Sequence, residues 1–470
     1  MRHTLCGWLA GAVMALGGLA APWPALAHDD DDRIESRDER DDREDREDRE
    51  EREARDAARA ESKDKDKDDE KDKDKDRDKD KDRDRAGSGK TGDAGKRDQT
   101  RREDARRGRG RNSRFDVERD ATGADRERNE VLLIGPATSS DAVRNAGFSI
   151  ISENRLESLR QTLIRVRVRD GESVERTVET LRDVAPGIRV APNHVFHASQ
   201  ATPAQTLGLS GKIEPLRSPR RGEAPQIGVI DTGADPDQSR LGPRVLMYRG
   251  FAPGGYTPRP HGTAVAQIAT SLGANVAVAD VFGLDKQKRL VAPAELIAMA
   301  IDWLLSQNVR VLNISIEGPR NDVLEFVVDA AVSQGVLIIA AAGNGGPAAP
   351  PGYPGAYPGV VAVTALDERG LLYRRAARGD HIQFAARGSY APGQSLVDTS
   401  STIAGTSFAA PVVAAMAARQ WRQSPNSSRE QVLAALRSTA TDMGAPGRDS
   451  LYGWGRIDPW SLSGAPTASR

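Results

Sequence analysis

Ile227-Gly228-Val229-Ile230-Asp231-Thr232-Gly233 reads as a buried strand that ends in an acid and a tight turn. A nearly unbroken apolar run marks a strand covered on both faces, which is the habit of parallel sheets. Short runs of the same kind recur at 276–281, 309–314, 336–341 and 360–363. Helical stretches lie between and after them: one opened by Pro293, one over 322–333, one over 407–421 and one over 428–437. Strands alternating with helices predict an α/β domain over 225–470, a doubly wound, mostly parallel sheet with helices on both faces.

Upstream of Pro225 the rhythm changes. Residues 200–224 are rich in Ser, Pro, Gly and Arg and read as a linker. Between 129 and 199 the pattern is strand (131–134), helix (140–145), two extended segments (148–152 and 163–169), helix (173–184) and strand (188–196). Leu163-Ile164-Arg165-Val166-Arg167-Val168-Arg169 alternates apolar and charged, the mark of one buried and one wet face. The order β-α-β-β-α-β predicts a small α+β domain of about 70 residues, near the lower end for independent stability.

The chain as a whole carries 68 Lys+Arg against 69 Asp+Glu, a formal net charge of -1, so neither a nucleic acid nor an acidic partner is indicated. Much of that charge is packed into 28–128, a low-complexity segment of Asp-Arg-Glu and Lys-Asp repeats followed by Gly- and Arg-rich text. With almost nothing apolar to bury, this segment is expected to be disordered, either as a solvated spacer or as a surface-binding tail. Residues 1–27 have the form of a secretory signal peptide: Arg2 and His3, an apolar run from 9 to 21, and Ala25-Leu26-Ala27 as a cleavage site. The expectation is export to a periplasm or the exterior, with no membrane span left after removal. The single cysteine, Cys6, would go with the signal, leaving no disulfide.

Two more segments carry chemistry. His261-Gly262-Thr263-Ala264 puts an imidazole at the start of a small-residue helix, and Gly405-Thr406-Ser407-Phe408-Ala409-Ala410-Pro411 puts a serine at a helix N-terminus. A serine hydroxyl becomes a nucleophile when a base takes its proton, and the base needs an acid behind it to fix its tautomer. Asp231, His261 and Ser407 supply one of each. Singly they have plainer readings as a turn former, a helix start and a helix cap. Downstream of residue 200, however, the only histidines are His261 and His381, and His381 has no serine motif beside it. Gly343-Asn344-Gly345 adds a side-chain amide in a glycine-rich loop; Asn344, with the Ser407 backbone N–H, could stabilise an oxyanion. No cofactor is required for this chemistry.

Asp-Thr-Gly, His-Gly-Thr, Gly-Asn-Gly and Gly-Thr-Ser-x-Ala-x-Pro, in that order, resemble the subtilisin-like serine peptidase family. Tyr353-Pro354-Gly355 and Ala391-Pro392-Gly393 are further matches, and the likeness runs from about 227 to 458. It implies a secreted endopeptidase that hydrolyses proteins or peptides through an acyl-enzyme on Ser407. Asn193-His194-Val195-Phe196-His197-Ala198-Ser199 resembles the end of the family's inhibitory propeptide, so the smaller domain would act as inhibitor and chaperone and be cut off near Ser199. A generic accessory module is the alternative for that domain. For the whole protein, the alternative is a catalytically idle binding or surface-adhesion protein on the same fold.

The chain departs from the family in two places. The calcium loop that often follows the histidine helix is shortened to Ser271-Leu272-Gly273-Ala274-Asn275, which puts structural calcium in doubt. The strand edge that implies substrate binding reads Ser315-Ile316-Glu317-Gly318 where the family has Ser-Leu-Gly-Gly. Glu317 is either a surface residue turned to solvent or a specificity determinant, and in the second case its charge would favour a basic side chain near the scissile bond.

Overall fold

The computed structural model describes residues 114–184, 187–198, 224–237, 241, 244–393, 396–397 and 399–459, all within one compact unit, 99–470. The expected signal peptide, the charged segment up to residue 113 and nearly all of the linker lie outside the described residues.

The first part of this unit contains β1 (Val117–Arg119), β2 (Asp125–Gly135), α1 (Ser139–Asn145), β3 (Ser149–Leu156), β4 (Gln161–Arg167), α2 (Val174–Val184) and β5 (Arg189–Ala198). The strands pair antiparallel in the order β3-β4-β2-β5, with β1 on β2. Successive residues of β2 face opposite ways, as the pleat requires. Val131 and Leu133 join Ile164, Val166, Val178 and Leu181 beneath the helices, whereas Leu132 and Ile134 enter the core of the following domain. That double burial explains why 131–134 is apolar throughout.

Ordered structure begins before residue 129. β1 and the front of β2 fall in a stretch where charge hides the strand signal, because the charges are paired. Arg126 reaches Glu118 at 3.1 Å and Glu175 at 2.6 Å, and is itself buried. Phe115 lies over Gly283 in the following domain, where a Cβ would stand 2.6 Å from its ring.

The second part contains β6 (Ile227–Asp231), β7 (Val245–Gly250), α3 (Pro260–Ser271), β8 (Val276–Asp280), β9 (Gly283–Leu284), β10 (Leu290–Pro293), α4 (Ala294–Ser306), β11 (Val311–Ile314), β12 (Ile316–Glu317) and α5 (Asp322–Ser333). It continues with β13 (Leu337–Ala341), β14 (Val361–Leu366), β15 (Ile382–Arg387), β16 (Ser389–Tyr390), β17 (Ile403–Ala404), α6 (Thr406–Gln423) and α7 (Arg429–Thr439). Seven strands form a parallel sheet in the order β15-β14-β13-β11-β6-β8-β7.

Helices cover both faces. Ile230, Ala279, Leu312 and Ile338 share a core with residues of α4 and α5, while Val229, Val278, Val311 and Ile339 share one with α3 and α6. Helix starts follow their capping chemistry: Asn321 Oδ1 accepts from Val323 N and Leu324 N at α5, and Ser428 forms a capping box with Gln431 at α7. Pro293 stands just outside α4 as its N-cap. β10 and β12 leave this sheet and pair antiparallel with β5, one on each side of it.

Candidate active site

Asp231 is the last residue of β6, the strand about which the chain reverses: β8 and β7 lie to one side, β11 and β13 to the other. Ligand sites in open parallel sheets form outside the carboxyl ends of strands at such a point. Asp231 is fully buried, and its Oδ1 accepts from Thr232 N at 2.6 Å. The same oxygen lies 2.8 Å from His261 Nδ1. A carboxylate oxygen can only accept here, so Nδ1 carries the proton and Nε2 is left as the basic nitrogen.

The histidine is brought there by close backbone packing. A Cβ on Gly262 would stand 2.0 Å from the Thr232 carbonyl oxygen, and Gly262 N donates to Thr232 Oγ1 at 2.9 Å. Only glycine lets the helix start and the strand end meet this closely. His261 Nε2 is buried and has no hydrogen-bond partner. Phe408 packs beside the imidazole, with ring centroids 5.1 Å apart. His381 lies elsewhere, by Ala342, and burial lowers its pKa.

Ser407 is the second residue of α6, buried, after Gly405 at φ 153°. Its Oγ–H donates to the Ser315 carbonyl at 3.3 Å. No hydrogen bond joins Ser407 to His261 Nε2, a contact that in sites of this kind often tightens only around substrate. Pro411 stands four residues after Ser407 and has no N–H, so it cannot take the Ser407 carbonyl into the helical ladder. Ser315 Oγ donates to that carbonyl at 3.0 Å in its place, and Asn313 Nδ2 donates to Ser315 Oγ at 2.9 Å. The serine is thereby tied to the end of β11.

Asn344 leaves β13 on the same side. Its Oδ1 accepts from Thr406 N at 3.1 Å and from Thr406 Oγ1 at 3.2 Å, which fixes the amide with its oxygen toward the residue before Ser407. Thr406 Oγ1 also accepts from Gly343 N at 3.2 Å. The sequence gives one hint of this clamp, in that Thr406 precedes the serine.

Asp280 pairs with Asp231 across β6 and β8, and burial pushes its carboxyl up to about 7 despite the Thr257 and Phe282 N–H groups it accepts from.

β5 lies along the cleft edge, with Phe196 opposite Ala292 and with His197 and Ala198 opposite Glu317 and Ile316. Phe196 is fully buried against Gly318, where a Cβ would stand 2.4 Å from its Cδ1. Glu317 does not turn to solvent alone: its Oε2 accepts from Asn344 N at 3.1 Å. The connection from α3 to β8 contains no carboxylate, and among the described residues no three His, Cys, Asp or Glu side chains gather as a metal site.

A parallel sheet with an acid–histidine pair at one strand end and a serine opening the helix behind it defines the class of serine hydrolases whose order is acid, base, nucleophile. Comparison with known proteins narrows that class. The Subtilase family model (Peptidase_S8) matches residues 222–455. Subtilisin amylosacchariticus of Bacillus subtilis subsp. amylosacchariticus is 31% identical over 309 residues, covering 60% of this chain and 77% of its own. The chain belongs to the subtilase family, the subtilisin-like serine peptidases. Minor extracellular protease Epr of Bacillus subtilis (strain 168) is 32% identical over 315 residues, 60% of this chain, which spans 47% of the length of Epr. Among solved structures, fervidolysin from Fervidobacterium pennivorans, described as a keratinolytic enzyme related to subtilisin, superposes with a TM-score of 0.55 at 19% identity. That match covers 76% of this chain and 64% of fervidolysin, and it speaks for the fold.

Proposed function

We propose that the chain is an exported endopeptidase in which Ser407 attacks the peptide carbonyl, His261 takes the serine proton and Asp231 steadies the imidazolium. The single observation that supports this most directly is the 2.8 Å bond from buried Asp231 to His261 Nδ1, which orients the ring and leaves Nε2 with no other hydrogen-bond partner. Asn344 and the Ser407 N–H would donate to the oxyanion, and Ser315, Ile316, Glu317 and Gly318 would line the extended substrate. Export rests on residues 1–27 and on the extracellular character that the name of Epr records. Among the described residues no helix is long and apolar enough to cross a membrane.

The same reading assigns the first domain as inhibitor and chaperone of the second, cut from it by the enzyme itself. Support comes from β5, which occupies the cleft edge as a substrate strand would, between β10 and β12. Ala198, the last described residue of β5, stands opposite Ile316, next to Ser315, whose carbonyl accepts from Ser407, and this supports a cut near Ser199. The domain is held by more than this strand. Asp302 accepts from Ser158 N at 2.8 Å and Leu159 N at 3.2 Å, and Glu295 pairs with Arg165 at 3.0 Å. Incubating the purified protein with a denatured protein, with and without a serine-directed fluorophosphonate, tests the activity. Hydrolysis abolished by the reagent is expected; an idle binding protein would neither cut nor be labelled.

A further inference from the structure

Rotation of the carboxylate at the cleft edge would have put it in water, but the side chain of Glu317 runs inward. Two glycine-bearing segments face each other there. Gly352 and Tyr353 are joined to the β12 end through mutual 3.0 Å bonds between Gly318 and Tyr353, and Gly343 and Gly345 flank Asn344 beside Thr406 and Ser407. A Cβ built on Gly352 would stand 2.8 Å from Glu317 Cγ, and one built on Gly343 would stand 2.7 Å from Glu317 Oε1. The glutamate therefore lies directly on the bare Cα atoms of both walls and spans the slot between them. Its Oε2 is fastened by Asn344 N–H.

A substrate running along β12 in place of β5 would bring the residue before its scissile bond to this slot. In the register of β5, His197 faces Glu317 and Ala198 faces Ile316, so a substrate strand laid in that register would next meet Ser315, whose carbonyl accepts from Ser407, with the slot beside it. Walls without side chains would otherwise leave room for a large residue. We propose that Glu317 is the specificity-determining residue of the cleft: by filling this slot it confines cleavage to bonds that follow Gly, Ala or Ser. Bulk decides over charge in this arrangement, because the carboxylate is already engaged by the Asn344 N–H and its methylenes occupy the volume a lysine stem would need. The inference rests on the endopeptidase reading above.

Profiling a peptide library that varies only the residue before the cut, with the full protein as wild type, Glu317→Ala and Glu317→Gln, tests it. The wild type is expected to favour Ala and Ser over Phe and Leu by at least tenfold in kcat/KM. Glu317→Ala should raise the Phe-to-Ala ratio at least tenfold, while Glu317→Gln, which keeps the bulk and the acceptor, should keep the small-residue preference. A wild type that prefers Lys or Arg, with the preference lost in Glu317→Gln, would overturn the inference in favour of a charge effect. Identical profiles for wild type and Glu317→Ala would overturn it outright. Both results leave the endopeptidase reading standing; a wild type that cuts no peptide and takes no fluorophosphonate label overturns the two together.

Discussion

Truncating Phe196 to Ala probes how the first domain is held over the cleft. The ring is fully buried in a core shared by both domains, against the bare Cα of Gly318, so nothing nearby can grow into the space it leaves. Removal of a fully buried phenylalanine ring costs about 3–5 kcal/mol when the site cannot collapse. Some of that loss falls on the fold of the first domain, since Phe196 belongs to β5 and packs there too. Assigning about 3 kcal/mol to the contact across the cleft lowers the closed population by roughly two orders of magnitude relative to the open one. The assay is amide hydrogen exchange in the full chain carrying Ser407→Ala, chosen so that the proposed self-cleavage does not release the domain. Exchange at β10 and β12 should accelerate about 100-fold, because it tracks opening of the strand pairing, while α6 amides keep their rates. Acceleration of less than threefold at β12 would refute the assignment of Phe196 as the anchor. Equal acceleration in α6 would show that the ring supports the fold rather than the contact.

Three further outcomes follow from the site. Asn344→Ala, if it removes the proposed oxyanion donor, should lower kcat by about 10²–10³-fold with KM little changed, the loss seen for the oxyanion asparagine of subtilisin. Thr406→Val strands the buried Gly343 N–H and unclamps the Asn344 amide, so the unfolding free energy should fall by about 1–3 kcal/mol in a urea titration, with a loss of kcat alongside. Asp280 has its carboxyl raised by burial from 3.8 to about 7, so the folded chain binds that proton more tightly than the unfolded one. Its stabilising contribution is full below about pH 4 and is lost as pH rises toward 7, with a slope of at most about 1.4 kcal/mol per pH unit. Asp280→Asn, which keeps an acceptor for Thr257 N–H, should flatten the fall in urea midpoint between pH 5 and 7.

The parallel sheet was legible because strands such as Ile227–Asp231 and Leu337–Ala341 are buried on both faces and so lack polar alternation. β7 was not, because Tyr248 and Gly250 are only partly covered and Arg249 is exposed, which breaks the apolar run. β10 and β12 have no signal of their own: two to four residues long, they exist as strands through their pairing with β5. The front of β2 was hidden by charge, since a motif of Asp, Arg and Glu looks the same whether solvated or paired with Glu118 and Glu175. At the site, Asp231, His261, Asn344 and Ser407 could be picked out from motifs that place special backbone beside a reactive side chain. The work of Thr406 and Pro411 could not, because it consists of which carbonyl and which amide oxygen are bonded across 62 and 92 residues of chain. Glu317 departs visibly from the Ser-Leu-Gly-Gly pattern, but its direction depends on the glycines at 343 and 352, far away in sequence.

The proposed catalytic role of Ser407 is tested most directly by whether the chain cuts itself. Wild type and Ser407→Ala, expressed side by side and examined by intact mass and amino-terminal sequencing, give the answer. Wild type should yield a product beginning near Gln200 with peptidase activity, and the Ser407→Ala chain should stay joined there and show none. Trimming of both proteins at the same position, or ordinary activity in Ser407→Ala, would contradict it.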